Sequence, residues 1–500
     1  MAIRTPEQYL ESLRDGRVVY IDGKRVDDVT KEPLLKSCVD LGLMLYLLYQ
    51  DPRYHDLLVA KTEAGKEVPF IFTQRKNAQD LLRSRDYILT LCRICLGAGG
   101  GPCFVGPDAL NALDVVSRRL DKEMGTSYSA RVRDYRQYLL ENDLGVAGAI
   151  TDVKGDRSLR PAEQKPHKDF YVRIVEERKN GIVVRGAKFH ISRAMICNEI
   201  FVAPTRGMRE EDRDYAVSFA IPVNTPGVVL VGAGREAIEP GNVDEWPIHA
   251  SRSTMEALIV FNDVFVPMER VFLKKEWRFA MQAAHMFGNF HRIYGDTYKY
   301  AYLEMLTGAA ALMAEYNGIQ NVEHVRDELA WLVMYTETIG LLGQAACEHC
   351  SIQPELGVAY PNALYSNAAK FFFANYYHEA VRCLQDITGG VVADLPSFKN
   401  FLSPETRPFI EKYFRGKAEV PTEHRLRAIM LAKDLCSSAV QGGTIHAEGS
   451  LAAQKIALTG VGDWERYKAL ARRAARISDG SEHPLTKEFP AFPPQGAKEK

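Results

Sequence analysis

The 500-residue sequence has no apolar run of 18 residues, so it holds nothing the length of a transmembrane helix. Met1 to Tyr20 carries no long apolar stretch either, so no secretory signal is expected and the expected compartment is the cytoplasm. A net charge of −1 supplies no field of one sign, which disfavours nucleic acid and anionic membrane as partners. The Gly-x-Ser-x-Gly elbow of hydrolases is absent. So is a complete Gly-x-Gly-x-x-Gly fingerprint. Gly97-Ala98-Gly99 runs on into Gly100, Gly101 and Pro102 after a helical pattern rather than a strand, which rejects a Rossmann site. Nine cysteines, an odd number in a long chain, read as reduced thiols rather than a disulfide framework.

What is present is the composition of a large globular protein: 46% hydrophobic and 25% charged residues, enough to bury a core in two or three subdomains. Residues 5–145 read mostly as helix, with apolar residues at helical spacing over 33–49, 78–96, 108–120 and 129–141. From 146 to 275 the pattern is strands punctuated by proline. Alternating segments at 170–175 and 182–185 flank Asn180-Gly181, a hairpin signal. Helical spacing returns after Trp277, over about 277–316, 321–351, 363–388, 422–440 and 464–477, and reads as a bundle. Residues 481–500 read as a tail. The expected fold class is therefore α+β, with helical parts at 1–145 and 276–480 around a β part at 146–275.

Three features carry candidate chemistry. The loop Thr151-Asp152-Val153-Lys154-Gly155-Asp156-Arg157 follows a short apolar segment. Its glycine allows close backbone approach, and its Lys and Arg could meet a negative ring or pyrophosphate; a charged surface turn is the plainer reading. His291 shares a helix face with Tyr294, Gly295 and Tyr298 at i+3, i+4 and i+7. That face is either a packed aromatic stripe with a hydrogen-bonded His, or a pocket with a base and a phenol donor. Cys92-x-x-Cys95 and Cys347-x-x-Cys350 lie in helical segments, where thiols at i, i+3 are packing residues more often than zinc ligands.

The run ENDLGVAGAITDVKGDRSLRP (141–161) resembles the corresponding segment of the 4-hydroxyphenylacetate 3-hydroxylase family, which contains two-component flavin monooxygenases and 4-hydroxybutyryl-CoA dehydratase. The resemblance continues through RTPEQYLESLRDGR (4–17), YVRIVEERKNGIVVRGAKFH (171–190), DYAVSFAIPVNTPG (214–227), EALIVFNDVFVPMERVFL (256–273) and GGTIHAEGS (442–450), almost the full chain. It implies an acyl-CoA dehydrogenase-like fold: an N-terminal helical domain, a central β-barrel domain and a C-terminal helical bundle. It implies FAD as cofactor, contacted by Thr151, Asp152, Lys154, Gly155, Asp156 and Arg157 of the loop and by Ser192. Gln385, Gly389 and Gly390 look like the Gln-x-x-x-Gly-Gly turn offered to a neighbouring subunit's flavin, and His446 is a similar candidate. A shared flavin site implies a homo-oligomer, a dimer or tetramer.

The resemblance also assigns chemistry. His291 and Tyr294 look like the His and Tyr of the dehydratase motif, and Glu256 like its catalytic glutamate. The dehydratase binds a four-iron cluster through three cysteines and a histidine. Here Cys103 and His291 match two ligands, while Gly99 and Thr297 stand at the other two, so no iron–sulfur cluster and no other metal is expected. The hydroxylases bind phenolate through an Arg and a Tyr near the Gly-rich segment and a His before the flavin loop. This chain has Gly148 at the last position and neither Arg nor Tyr across 97–103, so 4-hydroxyphenylacetate is not the expected substrate. The first expectation is a monooxygenase using FADH2 from a separate flavin reductase on a small aromatic or heteroaromatic substrate. The alternative is a redox-neutral acyl-CoA dehydratase or isomerase. A non-catalytic flavin-binding paralogue is the third.

Overall fold

The structure, a computed structural model, describes residues 3–97, 101, 104–165, 167–233, 241–252, 254–353, 356–437, 445 and 447–477. The first helix, α1 (Pro6–Ser12), opens on a capping box: Gln8 N donates to Thr5 Oγ1 at 3.2 Å and Thr5 N to Gln8 Oε1 at 2.9 Å. The longer helices of this part are α2 (Lys36–Tyr49), α3 (Ala78–Ile94), α4 (Val105–Met124) and α5 (Tyr128–Asn142). Gly125 ends α4 in the left-handed region at φ 67°, the usual helix stop.

This part also contributes strands that its helical reading did not anticipate. β1 (Val19–Ile21) and β2 (Lys24–Val26) form a hairpin, and β3 (Val59–Lys61) pairs with β4 (Glu67–Pro69). The remaining strands are β5 (Val146–Ala149), β6 (Arg173–Arg178), β7 (Gly181–Ser192), β8 (Glu199–Val202), β9 (Val217–Pro222), β10 (Val228–Ala233), β11 (Glu256–Pro267) and β12 (Val271–Lys274). One sheet runs β2-β1-β10-β11-β7-β6, with β1 parallel to β10; the second runs β12-β9-β8-β5.

Among the described residues these two sheets do not close into a barrel. Closure needs every edge paired, yet β2 and β6 end one sheet and β12 and β5 the other. The isolated bridge Asp152↔Lys188 lies between the end of β5 and β7. The hairpin register is also one residue off: Arg178 pairs with Gly181, so the turn is Lys179-Asn180 and Gly181 already belongs to β7. Gly181 is needed for space. A Cβ there would lie 2.3 Å from Val266 O and 2.7 Å from the Phe265 ring.

The chain then returns to helix in α6 (Ala280–Asn317), α7 (Glu323–Glu348), α8 (Ala363–Thr388) and α9 (Thr422–Ser437). Apolar faces of all four meet around buried Leu306, Met313, Tyr335, Phe373, Tyr377 and Ile429. The α3 and α4 helices pack on α6 from the other side, so α6 lies between the two helical parts. The result is an α+β fold, with helical parts around two paired sheets. Among the described residues no helix is long and apolar enough to cross a membrane.

The contact of β5 with α4 fixes one position tightly. A Cβ on Gly148 would lie 1.9 Å from Val105 Cγ1. Gly148→Ala is therefore expected to destabilise the protein by about 1–3 kcal/mol through overpacking, seen as a lower thermal midpoint; an unchanged midpoint would show that α4 moves aside freely.

Candidate active site

Packing α4 against α6 brings Asp108, in the first turn of α4, onto His291: His291 Nδ1 and Asp108 Oδ2 are 2.9 Å apart, and both side chains are mostly buried. Burial pushes the Asp108 carboxyl above its ordinary range, and the bond to His291 opposes that push. His291 belongs to a row of rings along α6. It stacks on Phe287 at 5.2 Å and on Tyr294 at 5.3 Å. Tyr294 in turn stacks on Phe104 at 4.7 Å and meets Tyr298 at 5.3 Å. Burial raises the Tyr294 phenol, so it stays protonated as a donor. A small cavity of about 20 Å³, room for a water or two, lies beside Tyr294 and Asp108, with Phe104, Ile293, Arg75 and Asn111 in its wall.

Below the rings α6 buries an ion pair that sequence reasoning missed. Lys299, fully buried, meets the Glu448 carboxylate and also donates to Tyr298 Oη at 2.9 Å. Burial pushes the Glu448 carboxyl up, but Lys299, Lys370 and His291 outweigh it and hold the carboxyl below the usual range. Gly295 makes the approach possible: a Cβ there would sit 2.8 Å from Glu448 Cδ. On α8, buried Lys370 donates to Ile445 O at 2.6 Å, so both lysines hold the segment around Glu448.

Ser192 and Glu256, expected respectively beside flavin and as a proton carrier, come together. They are paired at the end of the β7–β11 ladder, and the Ser192 hydroxyl lies 2.9 and 2.8 Å from the two Glu256 oxygens. Arg193, also missed, connects this pair to the α6 row. Its N donates to Met255 O at 3.0 Å, its Nη1 donates to Gly101 O at 2.5 Å, and its charge acts on Tyr294. Its φ of 61° matches that of His190 three residues before it, and nothing in AKFHISR signals either.

The loop after β5 divides. Asp152 turns inward, where its carboxylate takes Lys188 Nζ at 2.5 Å and the Thr205 hydroxyl. Lys188 also donates to Ile150 O at 2.8 Å and Ala203 O at 2.9 Å, a buried knot that anchors the loop. Thr151 O accepts from Phe189 N at 3.0 Å. Gly155, at φ 54°, leaves no room for a side chain, since a Cβ would lie 2.3 Å from Gln164 Oε1. Asp156 folds back on Ser158, whose N donates to it at 2.9 Å. Lys154 and Arg157 are exposed and in no ion pair among the described residues.

Gly389 caps α8 at φ 80°, with its N–H on Gln385 O at 2.8 Å. A Cβ on Gly389 or Gly390 would meet nothing within 4 Å, and Gln385 is exposed, so this turn faces open space at an end of the bundle. His446 lies outside the described residues, as do Gly99 and Cys103. Thr297 Oγ1 donates to Ile293 O at 2.6 Å within its own helix. Cys92, Cys95 and Cys347 are buried free thiols, and burial raises all three, Cys347 to about 12. Among the described residues no group of three His, Cys, Asp or Glu side chains could hold a metal.

Helical parts around paired sheets thus place a buried His–Asp pair on the helix between them, in an α+β architecture. More narrowly, the chain belongs to the 4-hydroxyphenylacetate 3-hydroxylase family: the family's N-terminal model matches residues 5–273 and its C-terminal model residues 280–476. It is 34% identical to the 4-hydroxybutyryl-CoA dehydratase/vinylacetyl-CoA-Δ-isomerase of Clostridium aminobutyricum, over 95% of this chain and 100% of that one. It is 29% identical to the 4-hydroxyphenylacetate 3-monooxygenase oxygenase component of Thermus thermophilus, over 87% and 89%. Among solved structures, an oxygen-tolerant archaeal 4-hydroxybutyryl-CoA dehydratase from N. maritimus superposes with a TM-score of 0.89, 30% identity, and 96% and 97% coverage. The oxygenase component of 4-hydroxyphenylacetate 3-monooxygenase complexed with FAD superposes at 0.86, with 28% identity and 95% and 98% coverage.

The residues present fit a flavin. Two exposed cations and a left-handed turn at Lys154-Gly155 follow a strand end anchored by Asp152 and Lys188, a donor set suited to a negatively charged dinucleotide. Arg157→Ala is expected to weaken FAD binding roughly 10- to 100-fold, the worth of a charge-assisted hydrogen bond, with the fold intact. A fluorescence titration returning unchanged affinity would remove the loop from the site.

Proposed function

We propose that this protein is a flavin-dependent enzyme whose work on its substrate is proton transfer: a double-bond isomerase acting on an acyl thioester. The observation that carries this reading is the buried row on α6, where Asp108 fixes His291, Tyr294 stacks on it, and Glu448 acts electrostatically on both. With Nδ1–H bound to the Asp108 carboxylate, His291 keeps Nε2 as the free base. Tyr294 can donate to a carbonyl oxygen, and Glu448 or Glu256 can return the proton at a second carbon. FAD, when bound, supplies redox assistance; Thr151, Lys154, Asp156, Arg157 and Ser192 would hold it, with Asp152 and Gly155 shaping the loop. Likeness to a protein named both dehydratase and Δ-isomerase supports the thioester. Gly99 and Thr297 stand where the resemblance calls for cluster cysteines, and isomerisation needs no leaving group, so isomerisation is preferred to dehydration.

A second reading is supported by the relatives named oxygenase components. His291 and Tyr294 could equally bind and deprotonate a small aromatic substrate, with FADH2 delivered by a separate reductase. The exposed Gln385-Gly389-Gly390 turn supports a homo-oligomer in which it reaches a neighbour's flavin, with His446 as a further contact.

One pair of experiments separates the readings. The FAD-loaded protein, kept anaerobic in heavy water with vinylacetyl-CoA, is expected to move the double bond and to incorporate deuterium. No exchange with any short acyl thioester would sink the isomerase. A long-lived peroxide spectrum on mixing the FADH2-loaded protein with oxygen would establish the monooxygenase instead.

A further inference from the structure

Behind the Lys299–Glu448 pair lies a second set of buried polar groups. Asp296 is 1% exposed, and neither of its carboxylate oxygens has a hydrogen-bond partner among the described residues. Ser366, Asn367 and Lys370 are fully buried and share one face of α8 by their i, i+1 and i+4 spacing. The Ser366 Oγ and Asn367 Oδ1 are likewise unpartnered among the described residues. Buried polar atoms are almost always paired, so a group of orphans at one place calls for an explanation, and a role in catalysis is one such.

The titratable and charged groups around Asp296 come from the elements packed on it: Arg85 on α3, Arg292 and Lys299 on α6, Cys347 on α7, Lys370 on α8, and Glu448. Gly343 on α7 lies against both Asp296 and Arg85: a Cβ there would sit in ordinary contact, 3.5 Å from Asp296 Cβ and 4.0 Å from Arg85 Nε. Asn367 Nδ2 donates to Asn289 Oδ1 at 3.3 Å, and that oxygen also takes Arg292 Nη1 at 2.7 Å, so the group is continuous.

We propose that Asp296 and Lys370 are a one-proton store that acts through Glu448, exchanging counter-charges with it when the active site gains or loses a proton. At rest the Lys299 ammonium faces the Glu448 carboxylate, Asp296 carries a proton and Lys370 is an amine. When Glu448 accepts a proton, the Asp296 O–H bond breaks and an N–H bond forms at Lys370 Nζ, whose charge acts on Asp296. The new Asp296 carboxylate replaces Glu448 as the counter-charge of Lys299. The cluster gains one positive charge, that of the proton taken up, and Lys299 keeps an opposite charge throughout. Both resting states agree with the local electrostatics: burial holds the Asp296 carboxyl well above its ordinary range, and burial with Lys299 draws Lys370 down to about 7. Neither residue touches substrate; both are positioning residues.

The proposal rests on the reading of the site as a proton-transfer site, and it is tested on the resting protein so that the two fail separately. Infrared spectra of the full chain at neutral pH are compared for wild type, Asp296→Asn, Asp296→Glu and Lys370→Met. The expected result is a protonated-carboxyl C=O band in wild type that moves in heavy water, is lost in Asp296→Asn and shifts in Asp296→Glu. In Lys370→Met the band should persist to lower pH, because the amine that receives the proton when Glu448 is protonated is gone. Should Asp296→Asn fail to fold, Asp296→Glu carries the test. A band that neither Asp296 variant alters, or no such band in wild type, overturns the store.

Discussion

Replacing His291 with alanine is expected to lower kcat by about 10²- to 10⁴-fold, the usual worth of a positioned acid–base residue, while FAD binding persists. The size follows from geometry. His291 is held by Asp108 at 2.9 Å and between Phe287 and Tyr294, so its ring has one orientation and one tautomer. Asp108→Asn provides the companion test. It keeps the shape of the contact, but an amide nitrogen can donate to Nδ1, which moves the imidazole proton to Nε2 and blocks the base. The two variants should therefore both lose turnover, with FAD titrations close to wild type. Near-normal turnover in His291→Ala would reduce the residue to a member of the aromatic stripe.

The second large effect is on stability. Lys299→Met leaves the Glu448 carboxylate buried with its principal partner removed, which costs about 3–5 kcal/mol in comparable buried pairs. Glu448 cannot turn to solvent: it lies against Gly295, and the Lys370 bond to Ile445 O holds its segment from the other side. The double variant Lys299→Met/Glu448→Leu is expected to recover most of the loss, because a buried ion pair replaced by apolar groups of similar volume is often neutral. Thermal denaturation of the singles and the double decides this. A neutral Lys299→Met would show that Lys370 alone satisfies Glu448.

The long helices were legible because nothing competes with their spacing. Residues 363–388 read as helix and are α8 to the residue, with Asn362 capping one end and Gly389 the other. The hairpin slipped because the Asn-Gly signal speaks for turn conformation, whereas Gly181 is selected by the crowding of Phe265 and Val266. β1 was not legible at all: three residues carry no period, and its partner lies far along the chain. In the site, His291 and Tyr294 announced themselves by sharing a helix face, and Ser192 with Glu256 by the resemblance. Asp108 was concealed within an ordinary amphipathic helix. Lys299 and Glu448 are 149 positions apart, and a lysine inside a polar–aromatic run looks like solvated surface until the fold closes over it.

The parallel pairing of Val19 with Leu230 has a consequence for biosynthesis. As the nascent chain leaves the ribosome, α1 and α2 can form from local contacts, but the edge of β1 stays unsatisfied until β10 has been translated. Closing so large a loop adds little to the entropic cost, which grows only with the logarithm of length. Its penalty is time, during which an exposed strand edge can pair with another chain. The two-residue turn to β2 covers the opposite edge of β1 at once, leaving one edge open rather than two. This early hairpin serves as a temporary shield, and variants that loosen the Asp22-Gly23 turn should lower the yield of folded protein during synthesis more than they lower its stability once folded.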